Sequence, residues 1–127
     1  MDELPYYADT DFLLALAKET DWLKSKARRI LNQYKGKIWT SIATIIEILL
    51  VSKRENLDLQ KLLISLYGFI SVKGITLGQA LDSAEYIENY NFGVFDSLHA
   101  SLAGHSQIIS SDSVFDKIGI KRIKLEE

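Results

Sequence analysis

The stretch Tyr6-Tyr7-Ala8-Asp9-Thr10-Asp11-Phe12-Leu13-Leu14 places two carboxylates between two apolar runs. The run before them is short and rich in β-prone residues, which predicts a strand. The run after them continues at helical spacing through Ala17, which predicts a helix. In open α/β folds the ligand crevice lies at the carboxyl ends of the strands, so we expect Asp9 to face it.

Two explanations are open for this pair of carboxylates. No basic residue lies between Asp2 and Lys18 to balance them, so a divalent cation is the obvious counterion. Alternatively, Asp11 serves only as the N-cap of the helix. Capping needs only one carboxylate, so it leaves Asp9 without an explanation.

Composition limits the kind of protein this is. The 127 residues suit one domain over residues 1–127, and a hydrophobic fraction of 47% is enough for a core. The net charge of −2 excludes a global basic field, so a polyanion partner would need a local basic patch. The absence of cysteine excludes disulfides, thiolate zinc sites and cysteine nucleophiles, and it fits a cytoplasmic location. Residues 1–5 lack the features of a signal peptide, and no apolar run is long enough to cross a membrane.

Short apolar runs alternate with helical patterns along the whole chain. Helices are predicted to start near Thr20-Asp21, at Thr40 or Ser41, within Asn56 to Asp58, and at Thr76, the last with a capping-box pattern and an apolar stripe. Strands are predicted at residues 6–8, 37–40, 70–72, 107–110 and 120–125. This alternation predicts an α/β fold with a parallel sheet of four to five strands and helices on both faces.

Four carboxylates occupy positions where a solvated surface charge is not expected. Asp9 and Asp112 follow predicted strands, Glu47 interrupts the most apolar stretch of the chain, and Asp96 begins a helix. An unpaired ionised carboxylate in an apolar setting is costly and usually acquires a cation or a shifted pKa. The alternatives are that Asp96 and Asp112 are N-caps and that Glu47 turns outward. Carboxylates that converge without cysteine suit Mg²⁺ or Mn²⁺ and not zinc.

Four segments, in order, resemble the pattern of PIN-domain ribonucleases, and more specifically of VapC-type toxins from toxin–antitoxin pairs. The resemblance implies a three-layer α/β/α sandwich with strand order 3-2-1-4-5 and Mg²⁺- or Mn²⁺-dependent cleavage of RNA. It also implies a homodimer and an antitoxin partner. The segments are Ala8-Asp9-Thr10-Asp11-Phe12-Leu13-Leu14, Thr40-Ser41-x5-Glu47, Phe95-Asp96-Ser97-Leu98-His99-Ala100 and Ser110-Ser111-Asp112-x-x-Phe115-Asp116.

The resemblance also implies roles for individual residues. Asp11 stands where the family usually has Asn, which leaves open whether it binds metal, and Ser110 replaces the commoner Thr. Asp116 is a candidate outer member of the site. The residues expected to bind metal and carry catalysis are Asp9, Glu47, Asp96 and Asp112.

Other features allow more than one interpretation. His99 lies one helical turn from Asp96, but we expect it to pack within the helix layer with a hydrogen-bonded ring. The basic residues between positions 24 and 29 are expected to form a solvated helix face, with contact to RNA phosphates as the alternative. Ile64 and Tyr67 fall off the apolar stripe of their helix, which predicts an exposed patch for a second copy or an antitoxin helix.

Two rival functions are open at this point. The Asp9-x-Asp11 pair is similar to the paired aspartates of haloacid-dehalogenase-type phosphotransferases, although Phe12-Leu13 follows where those enzymes need a different continuation. A non-catalytic PIN-like interaction module is the other. Retention of all four carboxylates argues against a module without a working site.

Overall fold

The computed structural model describes residues 4–18 and 21–127, which form a five-stranded sheet with helices. All four strand pairs are parallel, and the strand order is β3-β2-β1-β4-β5, which confirms the predicted fold. The chain runs outward from the central strand in one direction, then returns to its other side, so the topological switch point lies between β1 and β4. The strands are β1 Tyr6–Ala8, β2 Ile38–Ser41, β3 Ser71–Lys73, β4 Gln107–Ser110 and β5 Arg122–Lys124.

Helices connect successive strands and begin close to the predicted caps. Ser41 and Asp58 cap their helices with side-chain oxygens, and Thr76 forms the predicted capping box with Gln79. Of the predicted Thr20-Asp21 start, Thr20 lies outside the described residues, and Asp21 accepts a hydrogen bond from the Leu23 backbone just before the helix. The helices are α1 Thr10–Ala17, α2 Lys24–Gln33, α3 Ile42–Val51, α4 Leu59–Phe69, α5 Leu77–Tyr90 and α6 Val94–Ala103, followed by a 3₁₀ helix at Ser113–Ile118.

Two apolar cores lie on opposite faces of the sheet. Tyr7 and Ile108 point into one core, against α6 and the 3₁₀ helix. Ala8 and Ile109, one residue further along the same strands, point into the other core, against α1, α2 and α4. This alternation is the period-2 geometry of strands, and it produces the three layers predicted for the chain.

Several helices expose apolar side chains that a core-facing stripe would bury. The stripe of α5 lies on its outer side, with Leu77 76% exposed and Leu81 61% exposed. On α4, Ile64 is 75% exposed and Tyr67 58% exposed, as predicted for the patch there. Exposed apolar groups of this kind are typical of interaction surfaces. No helix in the described part of the chain is long and apolar enough to cross a membrane.

Candidate metal and catalytic site

The four predicted carboxylates line one cavity beside the switch point of the sheet. Its volume is about 190 Å³. Asp9 directly follows β1, and Asp112 lies two residues after β4, the neighbouring strand. Helices α3 and α6 bring in the other two carboxylates. The cavity is lined by Asp9, Thr10, Asp11, Leu14, Glu47, Val51, Arg54, Asp96, His99 and Asp112.

Asp9 is the most deeply held carboxylate of the site. It is the N-cap of α1, where its Oδ1 accepts a 2.8 Å hydrogen bond from the Thr10 backbone. Its Oδ2 accepts a 2.6 Å hydrogen bond from the Ser110 hydroxyl at the end of β4. Burial raises the pKa of Asp9 to about 7, against an opposing effect of His99 and with a further rise from the charge of Asp11. The carboxylate is therefore fixed in position by two elements, yet costly to ionise.

Glu47 reaches the cavity from the middle of α3. Its side chain is partly buried, and its Oε1 accepts hydrogen bonds from the Thr10 hydroxyl and from His99 Nε2, the latter at 3.0 Å. Burial acts to raise the pKa of Glu47, but these hydrogen bonds hold it below its usual value. The interruption of the apolar stretch is thus explained by an ionised carboxylate turned toward the other acidic groups and not toward solvent.

His99 lies at the centre of the site. It is buried, and its Nδ1 lies 2.7 Å from the Tyr7 hydroxyl. Its Nε2 faces Glu47 Oε1 at 3.0 Å and Asp9 Oδ1 at 3.4 Å. Burial acts to lower the pKa of His99, but the hydrogen bond to Glu47 and the nearby negative charges raise it above its usual value. The ring is hydrogen-bonded as predicted, but its partners include two of the predicted site residues.

Asp96 and Asp112 differ in their local roles. Asp96 lies in the first turn of α6 but is not its N-cap, which is Gly93, and no hydrogen bond engages its carboxylate in the described part of the chain. Burial raises the pKa of Asp96, and the charge of Asp112 raises it further. Asp112 does cap the 3₁₀ helix, since its Oδ1 accepts a 2.9 Å hydrogen bond from the Val114 backbone. Capping uses one oxygen of Asp112 and leaves the other for the cavity.

Asp11 is a buried carboxylate that the described residues satisfy only in part. Its Oδ2 accepts hydrogen bonds from the backbone and hydroxyl of Ser111, while its buried Oδ1 has no hydrogen-bond partner among the described residues. Burial raises the pKa of Asp11 in spite of these bonds. Asp11 does not cap α1, because Asp9 occupies that position. Its Oδ1 has no partner because the protein supplies no donor there.

Asp116 is placed outside this cavity. Its two carboxylate oxygens accept hydrogen bonds from Arg122 Nε at 3.1 Å and from Arg122 Nη2 at 2.9 Å. The side-chain hydrogen bond from Arg122 holds the pKa of Asp116 below its usual value. Arg122 also donates to the Ser110 carbonyl, so the pair braces the end of β4.

The donor set fits a hard divalent cation. Carboxylate oxygens dominate the cavity, and one oxygen each of Asp9 and Glu47 lies within 4.8 Å of the other and of a His99 ring nitrogen. Mg²⁺ and Mn²⁺ prefer such oxygen ligands, whereas the chain has no thiolate to offer a softer metal. One buried oxygen of Asp11 has no hydrogen-bond partner among the described residues, and burial makes Asp9 costly to ionise, so a bound cation would stabilise both carboxylates.

A comparison with models of known protein families identifies the family of this chain. The family model described as the PIN domain matches residues 6–121. The chain belongs to the PIN-domain family. No significant relative was found among curated proteins.

Solved structures share the PIN fold of this chain. A toxin–antitoxin complex from Klebsiella pneumoniae aligns with a TM-score of 0.76 and 18% identity, over 96% of this chain and 98% of that chain. VapC20 of Mycobacterium tuberculosis, described as a Sarcin-Ricin loop cleaving toxin, aligns with a TM-score of 0.74 and 15% identity, over 93% and 98%. DNA-bound VapBC from Salmonella typhimurium aligns with a TM-score of 0.70 and 20% identity, over 95% and 97%. At these identities the likeness concerns the fold.

The polar residues that orient the PIN-domain carboxylates were not predicted as site residues. They are Tyr7, Thr10, Ser41, Ser110 and Ser111. Thr10 and Ser110 stand inside the quoted segments, so their positions were available in the sequence. Tyr7 gave no such signal, because a tyrosine in a buried strand is ordinarily a core residue.

Proposed function

We propose that this PIN-domain protein is a metal-dependent ribonuclease and the toxin of a toxin–antitoxin pair. The observation that carries the proposal is the convergence of Asp9, Glu47, Asp96 and Asp112 on one cavity at the switch point of the sheet. Structural neighbours described as VapC and VapBC proteins support the biological context. The family assignment leaves no support for the phosphotransferase alternative.

Mg²⁺ or Mn²⁺ would be held by these four carboxylates, with Asp11 at the edge of the set and Asp116 outside it. When bound, the ion supplies Lewis-acid stabilisation of the charge that develops on a scissile phosphate. Asp9 is pre-positioned for this task by Ser110 and by the Thr10 backbone. Such fixed ligands need little rearrangement during the reaction.

The proton of the attacking water would be accepted by a carboxylate that makes no hydrogen bond to another described residue. Asp96 meets this condition, because it lies in the cavity without a hydrogen bond to another described residue and with a raised pKa. A carboxylate with a raised pKa is a stronger base than an ordinary aspartate, so Asp96 is suited to accept a proton from an attacking water. The water would then displace the 3′ oxygen of the preceding nucleotide in line. No nucleophilic side chain is required.

Arg54 is suited to hold the RNA near this cavity. It lines the cavity, and its side chain is 75% exposed, so its guanidinium can reach a phosphate at the mouth. Arginine binds phosphate through several donors in a planar fork. Because the protein has a net charge of −2, such local cations must offset its overall repulsion of RNA. None of the four basic residues between positions 24 and 29 lines the cavity, which favours the expected solvated helix face over contact with RNA.

We also assign the two exposed apolar surfaces to two partners. A groove of about 490 Å³ lies between α2 and α4, lined in part by Leu31, Ile38 and Phe69, and the exposed Ile64 and Tyr67 lie on the same helix as Phe69. A concave apolar groove suits the anchoring side chains of an amphipathic antitoxin helix. Neighbours described as toxin–antitoxin complexes support this assignment.

The second surface is proposed to pair two copies of the chain. It comprises the outer residues of α3 and α5, both of which pack against α6. A two-fold dimer, in which both copies contribute the same patch, is the commonest assembly of soluble homo-oligomers and would bury this apolar face. Light scattering at micromolar concentration should give a dimer mass, and Leu81→Asp should give a monomer. A wild-type monomer would contradict the assignment. The exposed residues of this surface are Ile42, Ile46, Leu49, Leu50, Leu77, Leu81 and Ile87.

A cleavage assay tests the nuclease proposal. Wild-type protein should cleave a structured RNA with Mg²⁺ or Mn²⁺ and not with a chelator, and Asp96→Asn should lose about 100-fold or more in rate. Asp82→Asn is the matched control, since Asp82 is exposed on α5 and outside the cavity. Cleavage that survives both the chelator and Asp96→Asn would refute the proposal. A wild-type protein that binds the antitoxin but cleaves no RNA would instead indicate a non-catalytic interaction module.

A further inference from the structure

A buried chain of hydrogen-bonding groups leads from the core to the carboxylates. The Tyr7 hydroxyl lies 2.7 Å from Ser41 Oγ and 2.7 Å from His99 Nδ1. On the other side of the ring, Nε2 lies 3.0 Å from Glu47 Oε1. Tyr7, Ser41 and His99 are all at most 1% exposed. The chemistry proposed above uses none of these three groups, although keeping them buried requires that each be satisfied.

The surroundings of the ring fix where its proton lies. Nε2 faces two carboxylate oxygens, those of Glu47 at 3.0 Å and Asp9 at 3.4 Å, and carboxylates only accept hydrogen bonds. Nε2 must therefore carry a proton. In the neutral ring this leaves Nδ1 as an acceptor for the Tyr7 hydroxyl, and Ser41 can then donate its own proton to Tyr7. The tautomer of His99 is thus set by the carboxylates that face Nε2, and the Tyr7 hydroxyl on the central strand satisfies the other ring nitrogen.

We propose that His99 and Tyr7 are positioning residues, and that His99 holds Glu47 and Asp9 as ligands by donating its Nε2 proton without itself binding the ion. This inference rests on the proposed function, since it concerns the same metal site. Outer hydrogen bonds of this kind fix the orientation of ligating groups, and their loss typically costs 10- to 100-fold in metal affinity. Without the Nε2 donor, Glu47 and Asp9 would face each other with nothing between them to reduce their repulsion.

Direct ligation by His99 is the competing role. It would require Nε2 to lose its proton, with Nδ1 donating to Tyr7. Nε2 is already surrounded by Glu47, Asp9 and the Thr10 hydroxyl, all within 3.4 Å, which is the spacing of hydrogen bonds. A cavity dominated by carboxylate oxygens also favours an ion that does not need a nitrogen ligand. Both observations favour the donor role.

Manganese binding measured by electron paramagnetic resonance separates these roles without an activity assay. Tyr7→Phe removes one hydroxyl and should weaken Mn²⁺ binding several-fold. His99→Leu should weaken it about 10- to 100-fold. His99→Gln should restore much of the loss, because the amide nitrogen of Gln can donate where Nε2 does. Tyr86→Phe, in a partly buried tyrosine on α5 outside the cavity, is the matched control and should bind as wild type does.

Pulsed measurements on the bound Mn²⁺ supply the deciding signature. The proposal requires that no directly coordinated imidazole nitrogen is detected in the wild type. Detection of that coupling, with His99→Gln as weak as His99→Leu, would overturn it. Unchanged affinity in Tyr7→Phe and His99→Leu would also overturn it while leaving the metal site in place. A wild-type protein that binds no Mn²⁺ would refute the proposed function itself. Should His99→Leu fail to fold, the nitrogen coupling in the wild type still separates the donor role from ligation, and an unchanged affinity in Tyr7→Phe, which keeps the ring, would still overturn the proposal.

Discussion

The stability of the metal-free protein should fall as the pH rises toward neutrality, and Asp9 should be the main cause. Burial raises the pKa of Asp9 from 3.8 to about 7. Between these two values the folded state holds a proton that the unfolded state releases. Stability therefore decreases with pH across this window. The protein is expected to be most stable on the acidic side of it.

The size of the effect follows from the shift. One pKa unit corresponds to about 1.4 kcal/mol, and Asp9 is half ionised at its folded pKa, so the free energy of unfolding should fall by roughly 2 kcal/mol between about pH 5 and pH 7. The full shift corresponds to about 4 kcal/mol above pH 7. The raised pKa of His99 acts in the same direction, since its stabilising effect is also lost as the pH rises through the folded value. The pKa of Glu47 is lowered in the folded state, so its contribution to stability is present at neutral pH and is lost only as the pH falls through that lowered value.

Asp9→Asn isolates the contribution of this group. Asparagine remains a good N-cap and cannot ionise, so the variant should show a much flatter pH profile and exceed the wild type in stability at pH 8. Urea unfolding in a chelating buffer, followed by fluorescence, gives the free energies, and the buried Trp39 reports the loss of the core. Asp82→Asn should keep the wild-type slope. A wild-type stability that stays constant or rises from pH 5 to pH 7, or an equal slope in Asp9→Asn, would refute the reasoning.

Three other predictions test the site and its partners. Mn²⁺ should raise the melting temperature of the wild type by mass action. The double variant Asp9→Asn with Asp112→Asn should lose this shift, and an equal shift in the double variant would mean that the ion binds elsewhere. Arg54→Ala should raise the KM for RNA several-fold and reduce the salt dependence of RNA binding by about the amount that one phosphate contact contributes, while its Mn²⁺ affinity stays unchanged. Arg28→Ala should change neither the KM nor the salt dependence. Ile64→Asp should weaken antitoxin binding in a calorimetric titration and leave cleavage by the free protein intact; unaltered binding would contradict the groove assignment.

The sequence predicted the order and boundaries of the elements because its local signals agree with one another. The capping box of Thr76 and Gln79 begins α5 where expected. The bounds differ in three places: the second strand begins one residue later than predicted, the last strand covers Arg122–Lys124 and not all of residues 120–125, and the third strand begins one residue later. Ile70 there is still bonded to the last turn of α4, through its backbone N–H to the Leu66 carbonyl.

The sequence could not predict which way an apolar stripe faces. A stripe that packs on the sheet and one that packs on a partner have the same period, so Leu77 and Leu81 carried no mark of their exposure. His99 illustrates a related limit. Its spacing from Asp96 was visible, but its main partner Glu47 lies 52 positions away along the chain. Only the crossing of α3 and α6 brings the two side chains together.

Charge explains why the candidate site could be predicted better than its supporting groups. Carboxylates such as Asp9 and Asp11 are conspicuous in an apolar sequence because their burial costs folding free energy. That cost persists in the fold: Asp11 keeps an unpaired buried oxygen, and its charge further raises the pKa of Asp9. A bound divalent cation would remove both penalties at once, since it stabilises only the folded arrangement of ligands. The hydroxyl of Tyr7 carries no such cost when it is satisfied, so nothing in the sequence distinguishes Tyr7 from an ordinary strand residue.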